Sequence, residues 1–372
     1  MVYKDSKTGK WYCKFRYTNW TGKRVQKKKC GFLKKSEAQA WEREFLAKSS
    51  MSCDMTFASL VELYTQDCQN RLRSTTQESK EHIIRTKLLP VFGNTPINQI
   101  TPVMVRNWQN QLMDGSQNGG KGYSKTYLKT IHNQLSAILN YAVKYYSLPN
   151  NPAAITGSIG KGQADTMLFW TEEEFKTFIK CIDRPTPYCI FNLLFYTGIR
   201  EGELLALSLS DFDFGASVLY INKSFARVKG QEVIQEPKTP KSKRDITLPA
   251  FLCKIVQDYA ARLVDYEPHE RLFPVTKSWI TYQLARGCKS SGVKKIRVHD
   301  LRHSHASLLI KMGAPILLVS ERLGHEKIQT TLQLYSHLYP DEHGSMAQKL
   351  EDSSGADLAP AGWQNPEKTS QS

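Results

Sequence analysis

The residues able to do chemistry gather in the second half of the chain, and they are bases and hydroxyls with few convergent acids. Arg200 follows Thr197-Gly198-Ile199 and precedes an apolar stretch with helical character. An arginine beside the free N–H groups of a helix start suits a phosphate. His299 and Arg302 stand three apart, which places them on one helical face. Leu301, Leu308 and Leu309 give that helix a buried side and leave the pair for a cleft or for solvent. Taken singly these signals are weak, since most arginines at helix starts are surface charges and H-x-x-R is a common accident. His299 and His303 have H-x-x-x-H spacing, but the string reads His-Asp-Leu-Arg-His, without the glutamate that a zinc protease carries inside that pair. No cysteine is close in sequence, so no metal is expected. No G-x-x-x-x-G-K-[ST] string occurs, so no nucleotide cofactor is expected either.

The elements that must position these residues can be read from periodicity. Thr171 caps a helix through Ile182, and Phe191 to Leu209 forms helix interrupted at Thr197-Gly198. Val218–Lys223 and Arg244–Leu248 have strand character, and Val298–Lys311 and Gln329–Leu338 read as helices. This gives an α+β unit over residues 166–350, followed by a polar, Pro/Gly-rich tail at 351–372 that is expected to be disordered. Upstream, residues 55–152 read as all-helical. Thr101-Pro102 marks one helix start, and Tyr127, Ile131, Leu135, Ile138, Leu139 and Ala142 form a long apolar stripe. Residues 1–50 read as a small sheet with one helix. Trp11, Cys13, Phe15 and Tyr17 alternate with Tyr12, Lys14 and Arg16, and Arg24–Cys30 is the partner strand. Ser36 to Gln39 fits a capping box, after which Ala38, Trp41 and Phe45 share one helical face.

The 372 residues carry 51 Lys+Arg against 35 Asp+Glu, a formal net charge of +16. Residues 1–50 hold 14 of the basic residues and 4 of the acidic ones, so most of the excess sits in a patterned N-terminal segment. That points to a nucleic-acid partner and a dedicated binding module. A mean hydropathy of −0.45 with no apolar run near 20 residues excludes a membrane span, and no apolar leader opens the chain. The eight cysteines form no C-x-x-C pair, which fits a reducing cytoplasm better than a disulfide scaffold.

In combination the weak signals become specific. Thr197-Gly198-Ile199-Arg200-Glu201-Gly202-Glu203-Leu204 is followed by His299-Asp300-Leu301-Arg302-His303-Ser304, then Leu323-Gly324-His325, and ten residues later Tyr335 in Thr331-Leu332-Gln333-Leu334-Tyr335. In order and spacing this resembles the tyrosine recombinases, the phage-type integrases. Residues 1–50 and 55–152 resemble, less sharply, the arm-site-binding and SAM-like core-site-binding domains of that family. The resemblance implies a three-domain enzyme that cuts and rejoins DNA through a 3′-phosphotyrosyl link, integrating and excising a phage or mobile element without any cofactor. Tyr335 is then the nucleophile, His299 its base or hydrogen-bond partner, Arg200 and Arg302 the clamp on the phosphate oxygens, and His325 a further phosphate ligand. Glu203 supports its neighbours. The family's leaving-group lysine falls in Glu236-Pro237-Lys238-Thr239-Pro240-Lys241-Ser242-Lys243, with Lys238 the best match and Lys241 and Lys243 competitors. In the arm domain Tyr12, Lys14 and Arg16 would face a major groove, with Lys27, Lys28 and Lys29 meeting phosphates. The implied partners are double-stranded DNA at crossover and arm-type sites, three further copies in a tetramer, a host DNA-bending protein and an excisionase, all in the bacterial cytoplasm at the nucleoid. A type IB topoisomerase, or a non-catalytic DNA-binding architectural protein with a degenerate site, are the alternatives.

Overall fold

The computed structural model describes residues 2–6, 8–18, 24–49, 54–115, 119–120, 122–160, 168–237, 239–336, 350 and 352–353. The chain divides into two compact units, one of residues 1–166 with 227–232 and one of the remainder. Most of the tail expected at 351–372 lies outside the described residues.

The first unit opens with an antiparallel sheet of β1 (Val2–Lys4), β2 (Trp11–Thr18) and β3 (Arg24–Phe32), in that order. The helix α1 (Lys35–Ser49) covers one face, with Ala38 and Cys13 fully buried and the rings of Trp41 and Phe45 against Phe15. Two expectations need correcting here. The helix begins at Lys35, so Ser36 lies inside it. The Leu33 and Lys34 N–H groups donate instead to the Glu37 carboxylate at 3.2 and 3.3 Å. The three lysines of β3 also do not share a face. Lys14 pairs with Lys28, whereas Phe15 pairs with Lys27 and Cys13 with Lys29. Opposed residues of an antiparallel pair point the same way. Lys28 therefore stands with Tyr12, Lys14 and Arg16 on the outer face, its ammonium 4.7 Å from the Tyr12 ring centre, while Lys27 reaches over the Phe45 ring on the helix side.

The helices α2 (Phe57–Gln69), α3 (Ser74–Ile83), α4 (Leu89–Phe92), α5 (Pro102–Met113), α6 (Lys125–Tyr145) and α7 (Pro152–Thr156) enclose a second core around Phe57, Leu60, Phe92, Trp108, Leu135 and Leu139. Their starts are chemically marked. Thr56, Thr101, Ser124 and Asn151 each cap with a side-chain oxygen, and α5 and α7 have proline in the first turn. Among the described residues no helix is long and apolar enough to cross a membrane.

In the second unit Trp170 is an anchor: its N–H donates to Ser304 Oγ and its indole to the Lys294 carbonyl, both at 2.8 Å. The Thr171–Glu174 capping box opens α8 (Glu172–Lys180). α9 (Pro185–Thr197), buried along most of its length, stacks Phe195 on Phe175. After α10 (Glu201–Ala206) come β4 (Phe212–Asp213), β5 (Val218–Ile221), a hairpin of β6 (Ser224–Val228) and β7 (Gln231–Gln235) whose residues 227–232 group with the first unit, and β8 (Arg244–Thr247). The order β4-β5-β8 is antiparallel, with Leu219 opposite Ile246. The remaining helices are α11 (Ala250–Ala260), α12 (Lys277–Ser291), α13 (Asp300–Lys311), α14 (Ile316–Leu323) and α15 (Ile328–Tyr335).

Candidate active site

The site is built on the turn that stops α9. Gly198 ends the helix at φ +65°, and a Cβ there would lie 2.6 Å from His305 Cδ2 and 2.9 Å from Leu323 Cδ2. A glycine is therefore needed twice over, for the left-handed backbone and for close approach to α13 and α14. The turn delivers Arg200 to the N-cap of α10. Its backbone N–H donates to Glu203 Oε2 at 2.9 Å and its Nη1 to Oε1 at 2.7 Å. Arg244, at the start of β8, donates from Nη2 to Glu203 Oε2 at 2.9 Å, from Nε to the Arg322 carbonyl and from Nη1 to the Ser242 carbonyl. Glu203 is only 2% exposed. Burial alone would raise its carboxyl, but the guanidinium groups of Arg244 and then Arg200 outweigh it and hold the group below the usual carboxylate range.

Arg302 sits on the first turn of α13, where Asp300, nearly fully buried, accepts from the Arg297 backbone N–H and guanidinium. Arg302 Nη1 donates to the Gly198 carbonyl at 2.7 Å and Nη2 to the Leu323 carbonyl at 2.5 Å. Burial first, then Arg200 and Arg244, draw it down to about 9, so it stays protonated at neutral pH. Arg200 Nη2 donates to the next carbonyl, that of Gly324, at 3.1 Å. The two guanidinium groups thus hold consecutive carbonyls of one turn. The Gly324 φ of +64° and the 3.0 Å approach of Arg244 Cδ leave no room for a side chain there.

That turn carries His325, whose Nδ1 lies 2.8 Å from Thr331 Oγ1 on α15. Burial and then Arg302 push its imidazole down to about 3. At the end of α15 Tyr335 is fully buried against Ala306, Ile310, Val319 and Leu323. Burial pushes its phenol up to about 12, against an opposing pull from Arg302.

The family resemblance pairs Tyr335 with His299 as its base or hydrogen-bond partner. The structure brings a different histidine to it: His303 Nδ1 lies 2.6 Å from the Tyr335 hydroxyl. His299 is exposed at the N-cap of α13, with its ring edge-on to His303 at 5.2 Å between centres. Arg244 was also missed. His303 was visible inside the H-x-x-R-H string and Arg244 at the end of the lysine run, but pattern alone gave neither a partner. Lys238 lies outside the described residues. Beside it the Thr239 and Ser242 hydroxyls are 2.9 Å apart, Lys241 is exposed, and Lys243 pairs with Glu236 at 3.3 Å. Among the described residues no three His, Cys, Asp or Glu side chains are grouped to hold a metal ion.

A helical bundle, an α+β unit with paired arginines and a helix-borne tyrosine, and a leading three-stranded sheet form the architecture of a tyrosine recombinase. Residues 169–342 match the phage integrase family, residues 56–113 the phage integrase N-terminal SAM-like domain, and residues 1–49 an arm DNA-binding domain. The chain belongs to the phage integrase family, the tyrosine recombinases, which cleave and rejoin DNA, and it is an integrase of the phage or conjugative-transposon type. It is 29% identical to the ICEBs1 integrase of Bacillus subtilis (strain 168) over 357 residues, covering 89% of this chain and 94% of that one. It is 24% identical to the integrase of Staphylococcus phage L54a, over 76% of this chain and 85% of that one. Among solved structures, the Tn1549 transposon integrase in complex with a circular intermediate DNA shares the fold with a TM-score of 0.65 at 19% identity, covering 80% of this chain and 99% of that one. A lambda integrase tetramer bound to a Holliday junction gives a TM-score of 0.55 at 17% identity, over 88% and 95% of the two chains.

Proposed function

We propose that the chain integrates and excises a mobile DNA element at specific sites, with Tyr335 as the nucleophile. The observation that supports this best is the convergence on one turn. Arg200 and Arg302 bind the Gly324 and Leu323 carbonyls, His325 follows directly, and α15 then ends in the buried Tyr335. A phosphate entering beside that turn meets two cations and neutral imidazoles. The Tyr335 oxygen attacks phosphorus, and negative charge builds on the non-bridging oxygens, where two guanidinium groups act most strongly. His299 and His325 hydrogen-bond the phosphate or the reacting oxygens, and Glu203 orients Arg200. The 5′-oxygen leaves with a proton from Lys238. The phosphotyrosyl ester keeps the phosphodiester energy, so rejoining needs no cofactor.

Residues 55–152 and 166–350 bind the crossover site and residues 1–50 bind arm-type sites through Tyr12, Lys14, Arg16 and Lys28. Four copies act together, helped by a host bending protein and an excisionase, in the bacterial cytoplasm. Support comes from the relatives: the Tn1549 integrase was solved on a circular intermediate DNA and the lambda enzyme as a tetramer on a Holliday junction. The test is Tyr335→Phe on a nicked suicide substrate. We expect normal DNA binding, no covalent adduct, and a stability loss of about 1 kcal/mol for one hydrogen bond. An adduct formed by the variant would remove Tyr335 from its role.

A further inference from the structure

The roles proposed above leave the shortest contact at the nucleophile unused. The His303 ring is 8% exposed, lies on α13 beside Arg302, and places Nδ1 2.6 Å from the Tyr335 hydroxyl. No other side chain shares a hydrogen bond with that hydroxyl among the described residues. We propose that His303 is a further catalytic residue, the general base that takes the Tyr335 proton during strand cleavage and returns it during rejoining. The proposal rests on the reading of Tyr335 as nucleophile.

The chemistry balances. With its own proton on Nε2, His303 presents a lone pair at Nδ1. As the Tyr335 oxygen bonds to phosphorus, its O–H bond breaks and an N–H bond forms at Nδ1. The bond from phosphorus to the 5′-oxygen breaks, and that oxygen takes a proton from the leaving-group acid. In rejoining, the 5′-hydroxyl attacks phosphorus and returns its proton to the deprotonated leaving-group acid, the bond from phosphorus to the Tyr335 oxygen breaks, and the His303 imidazolium protonates that oxygen.

The surroundings suit a base that is neutral at rest. His303 faces His299, Asp300, Arg302 and Arg297 from its own helix and the turn before it. Tyr335 faces it from α15, and His325 from the turn leading to α15. Burial and then His299 push the imidazole down to about 4, opposed by Asp300, so the unprotonated form prevails at neutral pH. The phenol is held up, so the proton stays on oxygen until attack begins. Bond formation to phosphorus makes the phenol proton strongly acidic, and the incoming phosphate charge favours an imidazolium. Transfer is thereby tied to the chemical step, as general-base catalysis requires. His299, exposed and outside hydrogen-bond reach of the tyrosine, is left to serve the phosphate.

The test is single-turnover cleavage of a nicked suicide substrate. His303→Asn keeps an amide near the Nδ1 position but cannot accept a proton. Cleavage should fall by about 100-fold with DNA binding unchanged, and the residual rate should rise with pH. Replacing Tyr335 by 3,5-difluorotyrosine, a more acidic phenol, should restore much of the loss in His303→Asn and change the unsubstituted enzyme little. A residue that only packs against the ring would give no such rescue. Cleavage by His303→Asn within threefold of the unsubstituted enzyme, or absence of rescue, overturns the proposal. If His303→Asn does not fold, the chain with His303 intact still decides the matter. An acidic limb of its rate profile that follows the fluorinated phenol's lower pKa means the proton leaves before attack and overturns the proposal, while a limb that stays in place supports it. Tyr335→Phe run in parallel separates the two readings: an adduct from that variant refutes the nucleophile, whereas a dead Tyr335→Phe beside an unaffected His303→Asn refutes only the base.

Discussion

Glu203→Gln is nearly isosteric and removes one charge from the centre of the site. Glu203 is 2% exposed and joins Arg200, whose side chain is 36% exposed, to Arg244, whose side chain is 7% exposed. The Arg200 side is more than a third exposed to solvent, so the charge there is worth little to stability. The Arg244 side decides the outcome. Removing one partner of a buried ion pair costs about 3–5 kcal/mol because the other charge is left uncompensated. Arg244 keeps its bonds to the Arg322 and Ser242 carbonyls, which favours the low end, about 3 kcal/mol. At about 2–4 °C per kcal/mol for a unit of this size, Tm should drop by about 6–12 °C. The pH dependence is a second check. A carboxyl held below its unfolded value contributes stability that is present above the unfolded pKa, near ~4.3, and is lost as pH falls through the folded value. The gap between the native protein and Glu203→Gln should therefore be full at pH 7 and should close at the acid end. Urea denaturation at pH 7 and in steps below pH 4.5 measures both. A variant within about 0.5 kcal/mol of the native protein at pH 7, or a gap that does not narrow in acid, would refute the account of Glu203 as the charge between two arginines.

Gly198→Ala must place a Cβ against His305 and Leu323 in a left-handed backbone. We expect at least about 2 kcal/mol of destabilisation and loss of cleavage, read by thermal denaturation and adduct formation. His303, His305 and His325 are all held well below the ordinary imidazole value by burial. Their contribution is complete above pH ~6.5 and should drain away as pH falls from there toward 4, since the unfolded chain binds the protons the folded one refuses; denaturation midpoints that stay flat over that range would contradict the burial of these rings. In the arm domain, Lys28→Ala should weaken binding to an arm-type site and flatten its salt dependence more than Lys27→Ala, whose side chain lies toward α1; equal effects in a titration at several salt concentrations would mean that both faces meet DNA.

The elements that carry the site are legible in the sequence because their signals are local, whereas the roles of the residues on them rest on the family resemblance. Thr197-Gly198 marks a helix stop, so Arg200 had to open the next helix, and His299–Arg302 spacing is a helical face. Other features depend on tertiary neighbours. α14 went unnoticed because Leu317 and Leu318 are exposed on a helix this short, which blurs its amphipathic pattern. α12 buries Gln283 and Gly287 on its apolar face, the latter against Phe178. Three successive lysines carry no alternation, so the placement of the exposed Lys27 and Lys29 on the sheet face opposite Lys28 needed the strand register. His303 follows Arg302 directly, and only the packing of α15 on α13 shows which histidine meets the tyrosine.

The carbonyls of Leu323 and Gly324 hold Arg302 and Arg200 whatever side chains those positions carry. Amino-acid drift in that turn cannot delete an acceptor that every peptide bond provides. What drift can change is the path of the backbone, and that path depends on the left-handed φ at Gly324 and on the space shared with Arg244 and Lys241. Selection on the two arginines is therefore displaced onto a residue with no side chain. A library of substitutions across 322–325 should show tolerance set by backbone conformation, with Gly324 the intolerant position and Leu323 replaceable wherever the core volume is kept.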